Sequence, residues 1–405
     1  MGLHSVTLAA VDPVENPYAP GAGLRPPELA GRDPDIESFE TILGRAAVGR
    51  SSQSMVLTGL RGVGKTVLLS DLADRARQRD WVVAQVEARF DGDSRDASFR
   101  AMVARSLNQS LRQVTGTSRF PEKLHSALAT FKSFSITTDP TGALALGIEV
   151  DPQRGRADTG SLELDLSELA FDLATSAADL GTGVILLIDE MQDLRRDELA
   201  AICTAVHETG QRTLPFYVVG AGLPSLPAAL AEARSYAERL FAFRPIGPLS
   251  PDAAAIAVTR PAKSQGASWS QPAVRVVVDA AAGYPYFLQE FAKASWDYAP
   301  GPRIELDDAR VGVQAGRERL DGGFFRSRWN RATRAERDYL RAMADDGEGP
   351  SATGEIARRL GKSRVSQVGP TRAKLIHKGL LYAPEHGLIA FTVPGMSAFI
   401  VRQVD

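Results

Sequence analysis

The apolar positions fall into two alternating rhythms over the first 220 residues. Short unbroken apolar runs, suited to strands buried on both faces, appear at Ser54-Met-Val-Leu-Thr58, Trp81-Val-Val-Ala-Gln-Val86, Val184-Ile-Leu-Leu-Ile188 and Phe216-Tyr-Val-Val-Gly220. Between them lie stretches of helical period. Asp33 caps and Pro34 opens one carrying Ile36, Phe39, Ile42 and Leu43. Leu68, Leu69, Leu72 and Ala76 mark a second, and others run from about Phe99 to Leu111 and from about Leu162 to Ala178. Strand alternating with helix predicts a parallel α/β sheet, with Val184 to Ile188 as a central strand. One region breaks the rhythm. Phe134-Ser-Ile-Thr, Asp139-Pro-Thr-Gly142 and Ala143 to Val150 read as two strands around a turn, so a β-hairpin insertion is expected near 131–150, as a candidate partner contact.

Residues 1–28 hold Pro13, Pro17, Pro20, Pro26 and Pro27 with Gly21 and Gly23 and no periodic apolar face, which predicts an extended arm. Beyond Pro248 the chain turns alanine-rich and helical to about residue 320. The tail then reads helix (Arg334 to Ala344), helix (Thr353 to Leu360), a turn at Gly361-Lys-Ser363, helix (Arg364 to Lys378) and a strand pair at Leu381-Tyr382 and Leu388 to Thr392. That order is a winged helix-turn-helix. The expected divisions are 1–28 (arm), 29–247 (α/β core), 248–325 (helical subdomain) and 328–405 (winged helix).

Composition removes several alternatives. With 405 residues, 44% hydrophobic and 24% charged, the chain is globular and long enough for more than one core. A single cysteine, Cys203, excludes an intramolecular disulfide and a multi-cysteine zinc site. No stretch approaches a membrane span and the first residues lack a secretory pattern, so a cytoplasmic protein with no membrane association is expected. The net charge of -2 rules out a uniformly basic coat, so contact with nucleic acid would need a local patch. Residues 328–405 supply one, with 13 Lys/Arg against 8 Asp/Glu.

The chemistry concentrates at two strand exits. Gly59-Leu60-Arg61-Gly62-Val63-Gly64-Lys65-Thr66 fits G-x-x-x-x-G-K-[ST] between a strand and a helix. Glycines let the backbone curl so that successive N–H groups face one anion, joined by the helix N-terminus through Val67. Lys65 would reach the β and γ phosphates of a nucleotide, and the Thr66 hydroxyl would ligate Mg²⁺. Asp189 and Glu190 follow the central strand, at the edge where open α/β sheets bind ligands. Asp189 would hold Mg²⁺, and Glu190 would polarise an attacking water. Gln192 stands close enough to assist or else is solvated.

These two motifs, with a helical subdomain and a winged helix behind them, resemble the AAA+ ATPases related to the replication initiators and the STAND signalling NTPases. The resemblance covers about residues 28–405. It implies a three-layer αβα P-loop ATPase core with a parallel sheet, a small helical lid and a C-terminal winged helix, with ATP and Mg²⁺ as cofactors. Leu29-Ala30-Gly31-Arg32-Asp33 resembles the motif that places the chain against the base in STAND proteins, which makes Arg32 a candidate nucleotide contact. Gly283-Tyr284-Pro285 is similar to their lid motif and adds Pro285. Arg239 resembles the arginine finger supplied to a neighbouring subunit, implying a homo-oligomer; Arg234 competes for that role, and an ion pair of Arg239 with Glu238 is the plain alternative. Two departures predict slow hydrolysis. The strand after the Asp-Glu pair ends in Gly220-Ala221-Gly222-Leu223 with no polar sensor, and the usual lid arginine has no counterpart.

In the winged helix, Ser363 would cap the recognition helix, and Arg364, Gln367, Arg372 and Lys374 would meet duplex DNA, with Glu385-His386-Gly387 as the wing tip. Gly369-Pro370 would kink or divide that helix. The expected function is a Mg·ATP-dependent switch that couples nucleotide state to assembly and to DNA or partner binding. The alternative is a signalling or defence scaffold that holds ATP with little turnover and uses the winged helix for a protein partner.

Overall fold

The computed structural model describes residues 12–21, 23–88, 99–115, 125–136, 151–152 and 155–403. Two compact units emerge, one built from residues 33–58 and 68–245, the other from 59–67 and 246–405 with the described part of 1–32.

The first unit carries a parallel five-stranded sheet: β1 (Ser54–Thr58), β2 (Val82–Glu87), β3 (Val184–Asp189), β4 (Phe216–Gly222) and β5 (Phe241–Pro245) in the order β2-β3-β4-β1-β5. β1, β3 and β4 are buried at every position, which is what their unbroken apolar runs require. The helices α1 (Asp33–Ala47), α2 (Lys65–Arg77, whose first turn falls in the second unit), α3 (Phe99–Thr115), α4 (His125–Ile136), α5 (Leu162–Asp179), α6 (Arg196–Gln211), α7 (Leu226–Ala233) and α8 (Ala237–Leu240) complete the α/β core. α3 packs on β2, and α5 on β3 and β4. One contiguous apolar cluster runs from Val56 through Phe131, Phe134 and Leu169 to Phe241.

Polar anchors fix the helices of this unit. Asp165, fully buried, accepts from Arg100, from Thr159 N at 2.9 Å and Oγ1 at 2.7 Å, and from Gly160 N at 3.1 Å. Burial would raise its pKa, but these hydrogen bonds and the Arg100 charge bring it below the usual carboxylate value. Asp172 receives a bidentate Arg156 at 2.6 and 2.5 Å, and Thr130 at 2.6 Å.

The second unit holds α9 (Pro251–Ser264), α10 (Gln271–Ala281), α11 (Pro285–Tyr298) and α12 (Leu306–Arg319), with β6 (Ser268–Trp269) and β7 (Arg303–Ile304) as a small parallel pair. A π-helical segment, Leu320–Phe325, leads through α13 (Arg326–Asn330) into α14 (Arg334–Ala344), β8 (Ser351–Ala352), α15 (Thr353–Arg359), α16 (Gly369–His377), β9 (Leu381–Tyr382), β10 (Leu388–Phe391) and α17 (Met396–Val401). β8, β10 and β9 form an antiparallel sheet with Ile389 opposite Ser351 and Phe391 opposite Leu381. Helices followed by this small sheet give the winged-helix pattern.

Two expectations change. Residues 131–136, expected to open the hairpin, form the end of α4, and residues 137–150 lie outside the described residues. The arm is not merely extended: Tyr18 is buried, receives Trp269 Nε1 at 2.9 Å, donates to Val258 O and sits edge-on to Trp269 and Trp296. As Gly369-Pro370 led one to expect, the recognition helix is divided, into a 3₁₀ turn, Val365–Gln367, and α16. Among the described residues no helix is long and apolar enough to cross a membrane.

Candidate functional site

β1 ends at Thr58, and the chain runs directly into the glycine loop. Gly62 and Gly64 adopt φ of +86° and +92°, a left-handed backbone that a side chain would strain. Gly59 is required by contact instead, since a Cβ there would lie 2.1 Å from Ile246 O. Lys65 opens α2, is 94% buried (6% exposed), and turns its Nζ back onto the carbonyls of Gly59 at 2.9 Å and Leu60 at 3.0 Å. Thr66 is exposed. Arg32 is buried and donates to Val63 O and to Gly247 O, both at 2.8 Å, so it braces the loop from behind.

The loop has close neighbours within its own unit. Pro285 stands at the first turn of α11, with its Cγ 3.9 Å from the position a Cβ on Gly64 would take. Arg61 N donates to Thr392 O, just past β10, at 2.9 Å. Arg328 lies 3.9 Å from the Phe324 ring centroid and donates to Phe324 O at 2.7 Å. Burial, then the charges of Arg61 and Arg331, push the Arg328 pKa down to about 10. Like charges gathered beside a curled, glycine-lined backbone suit a polyphosphate, which would relieve the repulsion.

The second strand exit belongs to the first unit. Asp189 ends β3, is buried, and accepts from Glu190 N at 2.9 Å. Glu190 takes a left-handed conformation, φ 48° and ψ 37°, and the 3₁₀ turn Met191–Asp193 follows. In the sheet a single strand, β4, separates β1 from β3, and the parallel pairing aligns their C-terminal ends on the same edge. Among the described residues no group of three or more His, Cys, Asp or Glu side chains could hold a metal, so an ion here would need nucleotide oxygens beside Thr66 or Asp189.

Of the two arginines weighed as a finger, Arg234 is tied to Glu163 at 2.5 Å. Arg239 is exposed on α8 and makes no ion pair with Glu238 or any other described residue. In the winged helix, Arg364, Gln367 and Lys374 are exposed. Ser363 does not cap the recognition helix: it sits before the 3₁₀ turn, 3.5 Å from Gln367 Oε1, while α16 begins at Gly369. Arg372 turns inward and donates to Leu388 O at 3.2 Å, bracing α16 against β10.

A parallel α/β sheet with a glycine loop at one strand exit and an acidic pair at another defines the class, a P-loop ATPase fold. More narrowly, residues 28–219 match the AAA ATPase domain family; this part of the chain is an AAA ATPase domain, and ATP hydrolysis is the activity of its class. Residues 322–400 match a domain of unknown function, DUF8462. Among solved structures the chain is similar to the Walker-type ATPase PABY2304 of Pyrococcus abyssi, with a TM-score of 0.59 and 16% identity over 93% of this chain and 97% of that one. It is also similar to the ORC2 protein of Aeropyrum pernix, solved as ADPNP-ADP complexes, with a TM-score of 0.51 and 15% identity over 94% and 95% of the two chains. At these identities the likeness is one of fold. No curated protein matches.

Proposed function

We propose that this ATPase is a Mg·ATP-dependent switch whose nucleotide state sets the disposition of its winged helix toward duplex DNA. The loop from Gly59 to Val67 would cradle the phosphates, with Lys65 on the β and γ oxygens and Arg32 bracing the loop from behind. Pro285, at the head of α11, would border the bound nucleotide. Thr66 and Asp189 would hold Mg²⁺, which supplies charge neutralisation on the phosphates. Glu190 would accept the proton of the attacking water. The exposed, unpaired Arg239 would serve a neighbouring copy, making turnover dependent on assembly. Arg364, Gln367 and Lys374 would meet DNA, and Arg372 would act by holding α16.

The observation that carries the coupling is the hydrogen bond from Arg61 N to Thr392 O, which joins the backbone of the phosphate loop to the winged helix. Any rearrangement of that loop on phosphate binding acts directly on the segment after β10. The test is steady-state ATP turnover per subunit across protein concentration, with and without duplex DNA, using Glu190→Gln as the blank and Arg239→Ala as the assembly variant. Turnover that rises with concentration or DNA and is lost in Arg239→Ala is the expected result. Flat, very slow turnover with no salt-dependent DNA binding would overturn the switch and leave the scaffold reading.

A further inference from the structure

β4 ends in Gly220, Ala221 and Gly222, with Leu223 next, and offers no polar side chain to face a reacting phosphate. The structure gives those two glycines a purpose. A Cβ on Gly220 would lie 2.4 Å from Met191 Sδ, and one on Gly222 would lie 2.6 Å from Gln192 Oε1. β4 is therefore hollowed to admit the two residues that follow the carboxylate pair.

Gln192 fills the second hollow and makes three hydrogen bonds. Its Oε1 accepts from Leu223 N at 3.0 Å, and its Nε2 donates to Glu190 Oε2 at 2.7 Å and to Asp193 Oδ1 at 3.2 Å. The amide has only one sensible orientation, because a backbone N–H donates only and a carboxylate accepts only. Glu190 is thus held from both sides. Its left-handed backbone sets where the side chain leaves the strand, and the Gln192 amide fixes the plane of its carboxylate.

We infer that Gln192 is the positioning residue for Glu190, supplying from the β3 turn the polar group that β4 lacks. This rests on Glu190 being the base that activates water. A side chain anchored to Leu223 N is pre-organised, so the carboxylate need not search for its geometry at each turnover.

The test uses the full chain, measuring kcat, KM for ATP and melting temperature in Glu190→Gln, Gln192→Glu, Gln192→Ala, Gly222→Ala and the double variant Gln192→Ala/Gly222→Ala, under the conditions of maximal wild-type turnover. Gln192→Glu keeps the volume and the acceptor for Leu223 N but sets a carboxylate against Glu190. It should lower kcat by roughly 10- to 100-fold with little change in KM or melting temperature. A residue that merely packed against Leu223 would tolerate that change. Gly222→Ala should evict the amide and lower kcat similarly; because its Cβ would also lie 2.8 Å from Leu226 Cδ2, it should lower the melting temperature too, and the double variant should keep that thermal loss. If Glu190→Gln is inactive while Gln192→Glu and Gln192→Ala turn over normally, the positioning role is wrong and the base assignment stands. If Glu190→Gln turns over normally, the base assignment itself falls.

Discussion

The exits of β1 and β3 lie one strand apart in the same sheet and are built on opposite principles. The first is made of backbone: Gly62 and Gly64 take conformations only glycine adopts freely. The second is made of side chains: Glu190 accepts a left-handed backbone without being glycine, and an amide two residues on fixes its carboxylate. A backbone cradle binds whatever anion fits, whereas a positioned carboxylate has use only in one geometry. Binding and turnover should therefore fail separately.

The sharpest break is Glu190→Gln. It should lower kcat by about 100-fold or more while nucleotide binding, followed by titration with a fluorescent ADP, stays near wild type. Lys65→Ala should do the reverse, weakening nucleotide affinity about 100-fold in the same titration, since a charge-assisted contact to phosphate is lost. Equal loss of binding in both variants would erase the distinction between the two exits. Asp165→Asn serves as the control for core stability, because it removes one partner of a buried ion pair away from either exit; it should cost about 3 kcal/mol in denaturant unfolding at pH 7. As the folded pKa of Asp165 lies below 3.8, its stabilisation is full above that value and is lost as pH falls through the lowered one, so the wild-type midpoint should drop below about pH 4 and the variant's should depend less on pH there. The smallest effect belongs to Gly64→Ala, where a Cβ at φ +92° costs about 1–2 kcal/mol and should weaken nucleotide affinity about tenfold without altering kcat at saturation.

The sequence revealed the parts whose rule is local. The loop is a spacing of glycines, and β3 is an apolar run that ends where its carboxylates begin. α4 was misread because Phe134-Ser135-Ile136 alternates like a strand, yet Leu128, Phe131 and Phe134 are all buried at intervals of three, the period of a helix. β5 went unread because it is a five-residue edge strand ending in proline, with only Phe241 fully buried. Tyr18 looked like one aromatic in a proline-rich arm, since its partners Val258, Trp269 and Trp296 lie far along the chain. Gln192 was visible as a neighbour of Glu190, but its bond to Leu223 depends on a sheet register no local pattern contains. The bond from Arg372 to Leu388 is out of reach for the same reason, as Leu388 sits on another element.

The anchoring of Tyr18 also orders events during synthesis. Its acceptor, the carbonyl of Val258, is 240 residues further on, so at ribosomal speeds of about 5–20 residues per second Tyr18 waits on the order of ten to fifty seconds for it. The phosphate loop waits longer for Thr392, whereas every strand of the five-stranded sheet has been made by Pro245. The nascent chain can thus complete its sheet while the loop that leaves β1 still lacks its later neighbours.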